Sequence, residues 1–563
     1  MKKLLSLILC LSLLMSFGAT ALAVEDGELV VSVASDIHLN DAWEKPIPKR
    51  NSVSDTFSHV ASEGKLNSES MAIISAFLDG AAASKSEVVL IPGDLADHGY
   101  EAEMLDVAEM FTAFEKKTGK QIYVVPGNHD VSRQPVSVFA RVFADFGYNE
   151  AIAKDSNSAS YVVDLPDGYR LLAIDSTLYA SGNWGIDTAR AEWIRQQAET
   201  AQKEGKKAVA MMHHNLVAHL VLIDVLHKGS VLGKATGLSD IFAQYGVKYV
   251  FTGHTHESDI ASYVGANGEV VYDVLTGSLN VYPCPYRTVT FGDDVKFEMN
   301  YVDKIDTALI PAGMSAEAFD LMENDFTEYT KQCFELGMKM AVSNTVCSAS
   351  YLKNALSVNK KDNPEICAVI DKIAPKLKEA VNMPIYAEDE TEEGKSIESV
   401  LAEYNVTVPD SNYRTIAELG VAIYGDHTLG DENLQPYSKE IVLASKGIGA
   451  VLAYVLDDVS AEDYAMVLSY VCKLVDLELS TDLLTLAGDK IKRFEGIELV
   501  VSTAILPLIL KVTIDEAPGD CNVTLPGYAE IIEAPEAEKT FWEKVQDFFI
   551  KIFTAIMSIF AFM

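Results

Sequence analysis

Five short polar segments of the sequence hold side chains that can bind metal ions and transfer protons. They read DIH, GDLAD, GNHD, HH and GHTH, in that order along the chain. Their candidate residues are Asp36, His38, Asp94, Asp97, Asn128, His129, Asp130, His213, His214, His254 and His256. Carboxylate, imidazole and amide ligands without sulfur suit manganese, iron or zinc. Two such ions a few ångströms apart take about seven ligands, one of them shared, and this set is large enough to supply them.

Each segment taken alone has an ordinary explanation. Glycine, asparagine and aspartate favour turns for backbone reasons, and a single histidine in a turn is more often solvated or hydrogen-bonded than a metal ligand. That explanation does not account for five segments of one type in a single part of the chain. Together they indicate a metal and acid–base site.

All five segments follow predicted β-strands. The strands read LVVSVAS, EVVLIPG, QIYVVPG, AVAMMHH and VKYVFTG, and predicted helices lie near residues 68–84, 101–117, 135–146, 187–204 and 237–245. This alternation predicts an α/β domain, in which ligands bind at the carboxyl ends of the strands. We also expect extended backbone within DIH and HTH, which would point both polar side chains of each segment to one side.

The five segments resemble, in order and spacing, the motif set of the calcineurin-like metallophosphoesterases. The resemblance spans residues 36–256 and implies a four-layer α/β/β/α sandwich around a dinuclear metal centre. It implies that one metal ion is bound by Asp36, His38 and His256, that the other is bound by Asn128, His213 and His254, and that Asp94 bridges both. His213 is preferred to His214 because the first histidine of such a pair is the usual ligand in the family.

The same resemblance implies the catalytic groups. His129 would be the acid or the phosphate contact, and Asp130 would orient it. The position three residues after the bridging aspartate is Asp97, where purple acid phosphatases have a tyrosine. An iron–tyrosinate centre is therefore not expected, and Asp97 is either a residue that steers a metal ligand or part of a surface turn.

The forms GDLADHG and GNHD are most similar to the class III cyclic-nucleotide phosphodiesterase branch, which includes exported bacterial members with a helical C-terminal domain. The expected function is hydrolysis of phosphodiesters, including cyclic nucleotides, by attack of a metal-bound hydroxide on the phosphate. The expected cofactors are two divalent or trivalent ions, and the expected partner is a small phosphate ester. Two alternatives stay open: a broad phosphomonoesterase that scavenges phosphate, and an envelope-associated binding module with secondary hydrolase activity.

Length and charge restrict the class of protein. The 563 residues are too many for one hydrophobic core, which favours two or three domains. The net charge of −37 argues against binding to nucleic-acid duplexes, because phosphate backbones attract basic surfaces. Residues 1–23 contain two lysines, an apolar run and the A-x-A sequence at Ala21 to Ala23, the pattern of a signal peptide. The sequence therefore predicts a secreted or envelope-associated bacterial protein.

The remaining organisation follows from changes in sequence pattern. The metallophosphoesterase domain is expected over residues 24–304 and a helical domain over 305–493, with Ser315 as the cap of its first helix. Residues 494–526 fit either two strands or a helix broken at Pro507, and residues 527–540 read as a linker.

The last segment, 541–563, has a helical stripe of apolar residues. Its uncharged end is 12 residues long, from Ile552 onward, short of the roughly 20 needed to cross a bilayer. Two interpretations stand. It is an interfacial or self-associating amphipathic helix, or it is a helix docked on the protein's own core.

Two further sets of residues allow alternatives. Six cysteines follow the predicted signal peptide, and they fit either disulfides or free buried thiols. Tyr282, Tyr286 and Arg287 follow the last motif and either line the pocket or pack in the sheet.

Overall fold

The computed structural model describes residues 28–47, 56–178, 183–219, 229–356, 358–389, 394–430, most of 434–466, and 518–528, with a few isolated positions between the last two ranges. The predicted signal peptide (1–23), residues 467–493 of the predicted helical domain, most of 494–517, most of the predicted linker and the predicted helix 541–563 lie outside the described residues.

The strands carry labels in chain order. They are β1 Leu29–Val33, β2 Val88–Ile91, β3 Gln121–Val124, β4 Ala153–Lys154, β5 Tyr161–Asp164, β6 Tyr169–Ile174, β7 Thr177–Leu178, β8 Asn183–Trp184, β9 Lys207–Met212, β10 Tyr249–Thr252, β11 Asp259–Val264, β12 Val270–Leu275, β13 Pro285–Phe291, β14 Asp294–Tyr301 and β15 Val523–Pro526. The α-helices described up to β14 are Ser70–Ala83, Glu101–Thr118, Val136–Val142, Thr188–Lys203, Gly233–Thr236 and Leu238–Tyr245.

Two mixed sheets form the centre of this part of the protein. The six-stranded sheet has the order β15-β14-β13-β1-β2-β3, and the seven-stranded sheet has the order β11-β12-β10-β9-β6-β5-β4. Strands β1, β2 and β3 run parallel, as do β6, β9 and β10. The two parallel sets belong to different sheets, and the predicted polar segments follow strands of both sets.

The alternating side chains of β13 show how the layers stack. Phe291 faces the other sheet, with its ring 5.1 Å from Tyr169 and 5.9 Å from Tyr249, centroid to centroid. Tyr286 points to the opposite face, where its ring contacts Phe77 of the helix Ser70–Ala83. The helices Thr188–Lys203 and Leu238–Tyr245 share a second apolar cluster with the outer face of the seven-stranded sheet. The order is therefore helix, sheet, sheet, helix, which confirms the predicted four-layer sandwich.

A segment from late in the chain completes the six-stranded sheet. β15 pairs antiparallel with β14, so the expected boundary at residue 304 leaves out one strand of the sandwich. Tyr249 donates its hydroxyl proton to the carbonyl of Pro526 at 2.7 Å, and Tyr528 donates to the carbonyl of Ala208 at 2.6 Å. The segment 518–528 therefore ties the two sheets together. We call residues 28–301 and 518–528 the sheet domain.

The described residues between these segments are mostly helical, as predicted. Its described α-helices are Ala316–Asn324, Phe326–Ala341, Ala349–Ala355, Pro364–Val381, Ile397–Ala402, Ile416–Leu429 and Lys439–Leu456. Ser315 caps the first of them by accepting from the N–H of Ala318, as expected. We call residues 305–463 the helical region. Within the residues that the structure describes, no helix is both long and apolar enough to cross a membrane.

The cysteines that the structure describes form no disulfides with one another. Cys284, Cys333, Cys347, Cys367 and Cys521 are all buried. They pack as small apolar groups, in keeping with the second of the two interpretations from the sequence.

Candidate metal centre

The five polar segments meet where the two sheets face one another. They follow the carboxyl ends of β1, β2, β3, β9 and β10. Backbone hydrogen bonds join neighbouring segments there: Asp36 N–H donates to Gly93 O at 3.2 Å, and Gly253 N–H donates to His213 O at 3.0 Å. Side chains that are far apart in sequence therefore converge at a single site, as the sequence predicts for strand ends of an α/β domain.

One group of donor atoms surrounds Asp36. Its Oδ1 lies 3.5 Å from Nε2 of His256 and 3.9 Å from Nε2 of His38, and those two ring nitrogens are 3.1 Å apart. The other carboxylate oxygen of Asp36 accepts from Ser35 Oγ at 2.6 Å, and the His254 N–H donates to both oxygens, at 3.1 Å to Oδ1 and 3.0 Å to Oδ2. Oδ1 is thus held toward the two histidines.

A second group of donor atoms surrounds His213. Its Nε2 lies 3.0 Å from Oδ1 of Asn128 and 3.2 Å from Nδ1 of His254. The carboxylate of Asp94 belongs to both groups, because its Oδ2 is 3.3 Å from Nε2 of His213 and 3.8 Å from Nε2 of His38. Asp94 therefore has the position of a bridging residue.

The atoms of these groups are arranged to bind metal ions rather than to form hydrogen bonds with one another. Nδ1 of His213 faces the carbonyl oxygen of Pro92 at 3.0 Å, and as a donor there it leaves a lone pair on Nε2. That lone pair faces Asn128 Oδ1 and Asp94 Oδ2, which are acceptors as well. Two ligands at about 2.1 Å from one ion and roughly 90–110° apart are separated by about 3.0–3.4 Å. The spacing of these acceptor atoms is close to that range, so a cation would satisfy them together.

The backbone at the candidate ligands is left-handed, which corrects the expectation of extended chain. Asp36, His38, Asp94, His254 and His256 have φ between 40° and 80°. Non-glycine residues rarely adopt this region, and such strain is concentrated at functional sites. The two polar side chains of DIH and of HTH reach the site because each segment turns sharply there.

Glycines in the motifs leave room for the ligands. A Cβ at Gly127 would collide with the carboxylate of Asp94, and a Cβ at Gly253 would collide with Ser35 Oγ and the carboxylate of Asp36. The glycine that precedes Asn128 and the one that precedes His254 are therefore required by close packing around the acidic candidate ligands.

His129 and Asp130 have separate roles, which corrects the expectation that one orients the other. The carboxylate of Asp130 accepts from the backbone N–H groups of Leu95, Ala96 and Gly127 at 2.9–3.2 Å and so fixes two of the polar segments to each other. Nδ1 of His129 lies 2.5 Å from the carbonyl oxygen of Asp97, and its ring is half-buried beside His38. The ring of His129 is therefore oriented by a backbone carbonyl.

Asp97 lies beside His38, a candidate ligand, rather than in a surface turn. Its Oδ1 lies 3.3 Å from Nδ1 of His38, a charge contact without hydrogen-bond geometry, and Nε2 of His38 faces Asp36 and Asp94. Asn40 donates to the other oxygen of Asp97 at 2.5 Å, and Lys65 Nζ lies 3.0 Å from Oδ1. Sequence reasoning did not single out Asn40 or Lys65, because neither belongs to a motif.

Several pKa values reflect the density of charge. Burial lowers the pKa of His38 to about 3, and the positive charge of Lys65 acts in the same direction. Burial opposes protonation of His213 too, but the carboxylates of Asp94 and Asp36 outweigh it and raise the pKa to about 9. Burial and the charge of Asp94 raise the pKa of Asp130 to about 7, against three backbone N–H donors. A cation at the site would replace the proton of His213 as the balancing charge.

His219 received no role from the sequence, and the structure gives it one outside the ligand set. It is buried between two carboxylates, with Nδ1 2.6 Å from Asp259 and Nε2 3.0 Å from Asp273. Asp273 also accepts from the N–H groups of Leu216 and Val217. This network fixes the chain just after His213. The sequence gave no signal for it, because its three polar residues lie far apart in the chain and belong to no motif.

Tyr286 and Arg287 pack in the sheet rather than in the site. The guanidinium of Arg287 is fully buried and donates to the backbone carbonyls of Leu275 and Asp520. Tyr282 contacts Phe334 of the helical region, with ring centroids 5.8 Å apart. The packing interpretation therefore accounts for all three residues.

A cavity of about 420 Å³ adjoins the centre on the side of Asp97. Its lining includes Asn40, Lys65 and His98 of the sheet domain and Cys333 of the helical region. This volume lies within the roughly 300–1,000 Å³ of small-molecule sites. Since Asn40 and Lys65 both contact Asp97, the cavity shares a wall with the metal centre.

The chain is similar to known proteins over its first half. Residues 29–258 match the family model described as calcineurin-like phosphoesterase. The chain is 23% identical over 184 residues to a cAMP/cGMP dual specificity phosphodiesterase of Mycobacterium tuberculosis. That match covers 32% of this chain and 52% of the relative, so it spans about half of the relative's length.

Solved structures give weaker matches. A dimetal phosphatase from Danio rerio is 9% identical, with a TM-score of 0.37 over 49% of this chain and 98% of that one. A purple acid phosphatase from yellow lupin is 13% identical, with a TM-score of 0.35 over 49% and 52%. The NAD nucleotidase of Haemophilus influenzae is 11% identical, with a TM-score of 0.29 over 54% and 60%.

Proposed function

Residues 29–258 thus form a calcineurin-like metallophosphoesterase domain, and from this premise we propose that the chain hydrolyses phosphodiesters, cyclic nucleotides among them. The observation that carries the proposal is the convergence of seven donor side chains in two groups that share Asp94. The named activity of the mycobacterial relative supports a diester as substrate.

Two metal ions would be held by the residues of the two groups. Asp36, His38 and His256 would bind one ion, and Asn128, His213 and His254 would bind the other. Asp94 would contact both. Oxygen and nitrogen ligands of this kind suit manganese, iron or zinc. Such a pair lowers the pKa of water and neutralises the charge of a bound phosphate.

His129 is the residue of this chain that acts on the leaving group. The carbonyl oxygen of Asp97 accepts a hydrogen bond from Nδ1–H, so Nε2 is the atom that would contact the substrate. The half-buried ring lies next to His38, with ring centroids 4.7 Å apart. A protonated Nε2 would donate to the leaving oxygen as its bond to phosphorus breaks. Asp130 contributes indirectly, by fixing the backbone that follows Asp94 to the backbone that precedes Asn128.

The cavity beside Asp97 supports a substrate with an organic group beyond the phosphate. Its lining includes amide, hydroxyl and charged side chains from Asn40, Asn67, Ser68 and Lys65. A sugar or a heterocyclic base fits that chemistry better than a lipid tail does. A diester carries such a group on each side of the phosphorus and would place one of them there.

The location of the protein is part of the proposal. The pattern of residues 1–23 supports export, because it has the charged start, apolar run and small-residue cleavage site of a signal peptide. We place the protein outside the cytoplasm of a bacterium, secreted or at the envelope. The apolar stripe of 541–563 supports peripheral membrane contact or self-association.

The direct test compares a chromogenic phosphodiester with its monoester. Purified full chain is assayed with added Mn²⁺, and a parallel sample contains EDTA. We expect turnover that EDTA abolishes and that is faster for the diester. A preference for the monoester would replace this proposal with a phosphomonoesterase, and the absence of metal-dependent turnover of either compound would favour the binding-module alternative.

A further inference from the structure

The helical region contacts the sheet domain at a segment that leads directly to the metal centre. The helix Phe326–Ala341 lies against residues 61–64. A Cβ on Gly337 would collide with the backbone of Ala61 and Gly64, and a Cβ on Gly64 would lie 2.8 Å from Cα of Phe334. Backbone meets backbone at this contact, which leaves no room for the segment to shift.

Buried polar contacts fix the same segment on both sides. Tyr329 of the helix donates to Glu69 at 2.5 Å, and His59 Nε2 lies 2.8 Å from the same hydroxyl oxygen. Leu66 donates its backbone N–H to the carbonyl of Asn280 at 3.0 Å. The segment 59–69 is therefore held by the helical region and by the sheet domain together.

Lys65 projects from the middle of this segment to the metal centre. Its Nζ lies 3.0 Å from Oδ1 of Asp97, and both side chains are nearly buried, with 11% and 10% of their surface exposed. The same oxygen of Asp97 lies 3.3 Å from Nδ1 of His38. Lys65 thus connects the docking contact of the helical region to a candidate metal ligand through a single carboxylate.

We propose that Lys65 is a positioning residue through which the docked helical region sets the metal affinity of the centre. The inference rests on the proposed metal centre. Lys65 compensates the charge of Asp97 and holds its Oδ1 toward His38, so that His38 presents Nε2 to the ion bound by Asp36 and His256. Without Lys65, the nearly buried charge of Asp97 would keep the side-chain hydrogen bond from Asn40 but lose its balancing cation. His38 would then lose its fixed orientation.

The proposal is tested by titrating metal into the protein without substrate. Binding of Mn²⁺ to the full chain is followed by calorimetry for the unsubstituted protein and for Lys65→Met, Lys65→Arg and Lys45→Met. Lys45 is the matched control, because it lines the same cavity and pairs with Asp41 but does not contact Asp97. We expect Lys65→Met to lower the affinity for one of the two Mn²⁺ ions by about 10–100-fold. Lys65→Arg should restore most of that affinity, and Lys45→Met should bind both ions as the unsubstituted chain does.

The outcomes separate this inference from the proposed function. Two ions bound by the unsubstituted chain with no loss in Lys65→Met would overturn the role of Lys65 and leave the metal centre intact. No Mn²⁺ binding by the unsubstituted chain would overturn the proposed function and this inference with it. Circular dichroism of each variant shows whether the fold is retained.

A second variant tests the link to the helical region without touching Lys65. Gly337→Leu places a side chain against Gly64 and Ala61 and forces the helix and the segment apart. We expect it to lower the affinity for the same Mn²⁺ ion that Lys65→Met affects. The control on the same helix is Lys331→Leu, an exposed position. A folded Gly337→Leu protein that binds both ions with unchanged affinity would overturn the coupling.

Discussion

The sheet domain and the helical region bury different kinds of side chain. In the sheet domain, the fully buried residues include Asp36, His38, Asp94, Asp130 and His213. In the described part of the helical region, the buried polar residues are Thr330, Ser396, His427 and Thr428, and its core is aliphatic. Burying a charge costs several kcal/mol unless partners or a metal ion compensate it. The difference indicates that the sheet domain gives up packing stability for a site, whereas the helical region contributes packing and, through the segment 59–69, a contact that leads to the site.

Replacement of the shared carboxylate is expected to have the largest effect. Asp94→Asn removes a negative charge from both donor groups, so we expect loss of at least about 10³-fold in turnover of the diester and loss of one or both ions. The measurement is turnover at saturating Mn²⁺. Asp79→Asn is the control, because Asp79 forms an exposed ion pair with Lys117. Retention of activity and of both ions by Asp94→Asn would show that Asp94 does not bridge.

Replacement of His129 is expected to separate chemistry from metal binding. His129→Gln keeps a polar side chain but removes the proton donor, so we expect about a 10²-fold loss of kcat on a poor leaving group. A good leaving group needs less protonation and should show a smaller loss. Mn²⁺ affinity should stay unchanged. A large loss of affinity would instead identify His129 as a ligand.

The buried network around His219 is expected to affect stability more than chemistry. The carboxylates of Asp273 and Asp259 overcome burial and raise the pKa of His219 to about 10. Its stabilising effect is therefore complete below the unfolded-state pKa of about 6.5 and disappears as pH rises through about 10.

The corresponding variant is His219→Gln, which leaves two buried carboxylates without their cation. We expect it to lower the free energy of unfolding by about 3–5 kcal/mol near pH 6 and by progressively less toward pH 10. Denaturant unfolding of both proteins across that range measures the difference. A difference independent of pH would contradict the charged state of His219.

A core substitution in the helical region is expected to have the smallest effect on the site. Leu443 is fully buried in the aliphatic cluster and lies outside the helix Phe326–Ala341, which contacts residues 61–64. Leu443→Ala should cost about 2–5 kcal/mol of stability and leave Mn²⁺ affinity unchanged. The exposed Lys439→Ala on the same helix is the control for stability. Reduced metal affinity of folded Leu443→Ala would mean that coupling is spread through the whole helical region.

The sequence predicted those parts of the site that depend on local pattern. The five polar segments, the strands before them and the α/β class follow from residues that are close together in the chain. The contact of Lys65 with Asp97, beside His38, joins positions 32 residues apart, and no sequence motif contains both. The pairing of β15 with β14 is of the same kind, because it joins residues separated by more than two hundred positions.

Two expectations about geometry were wrong for local physical reasons. Extended backbone at the ligand pairs would have used the alternation of a strand, but the chain leaves the strand and turns with positive φ at Asp36, His38, His254 and His256. Asp130 was expected to orient His129 because it is the next residue. It turns instead to three backbone N–H groups, which compensate its burial better than one ring nitrogen does.

The central claim is that seven side chains, with Asp94 shared, form a centre for two metal ions. The most direct measurement is an equilibrium titration of Mn²⁺ into metal-free full chain, with the bound metal counted per chain. The account predicts two ions per chain for the unsubstituted protein and fewer for Asp94→Asn. One ion or none in the unsubstituted protein, or an unchanged count of two in Asp94→Asn, would contradict it.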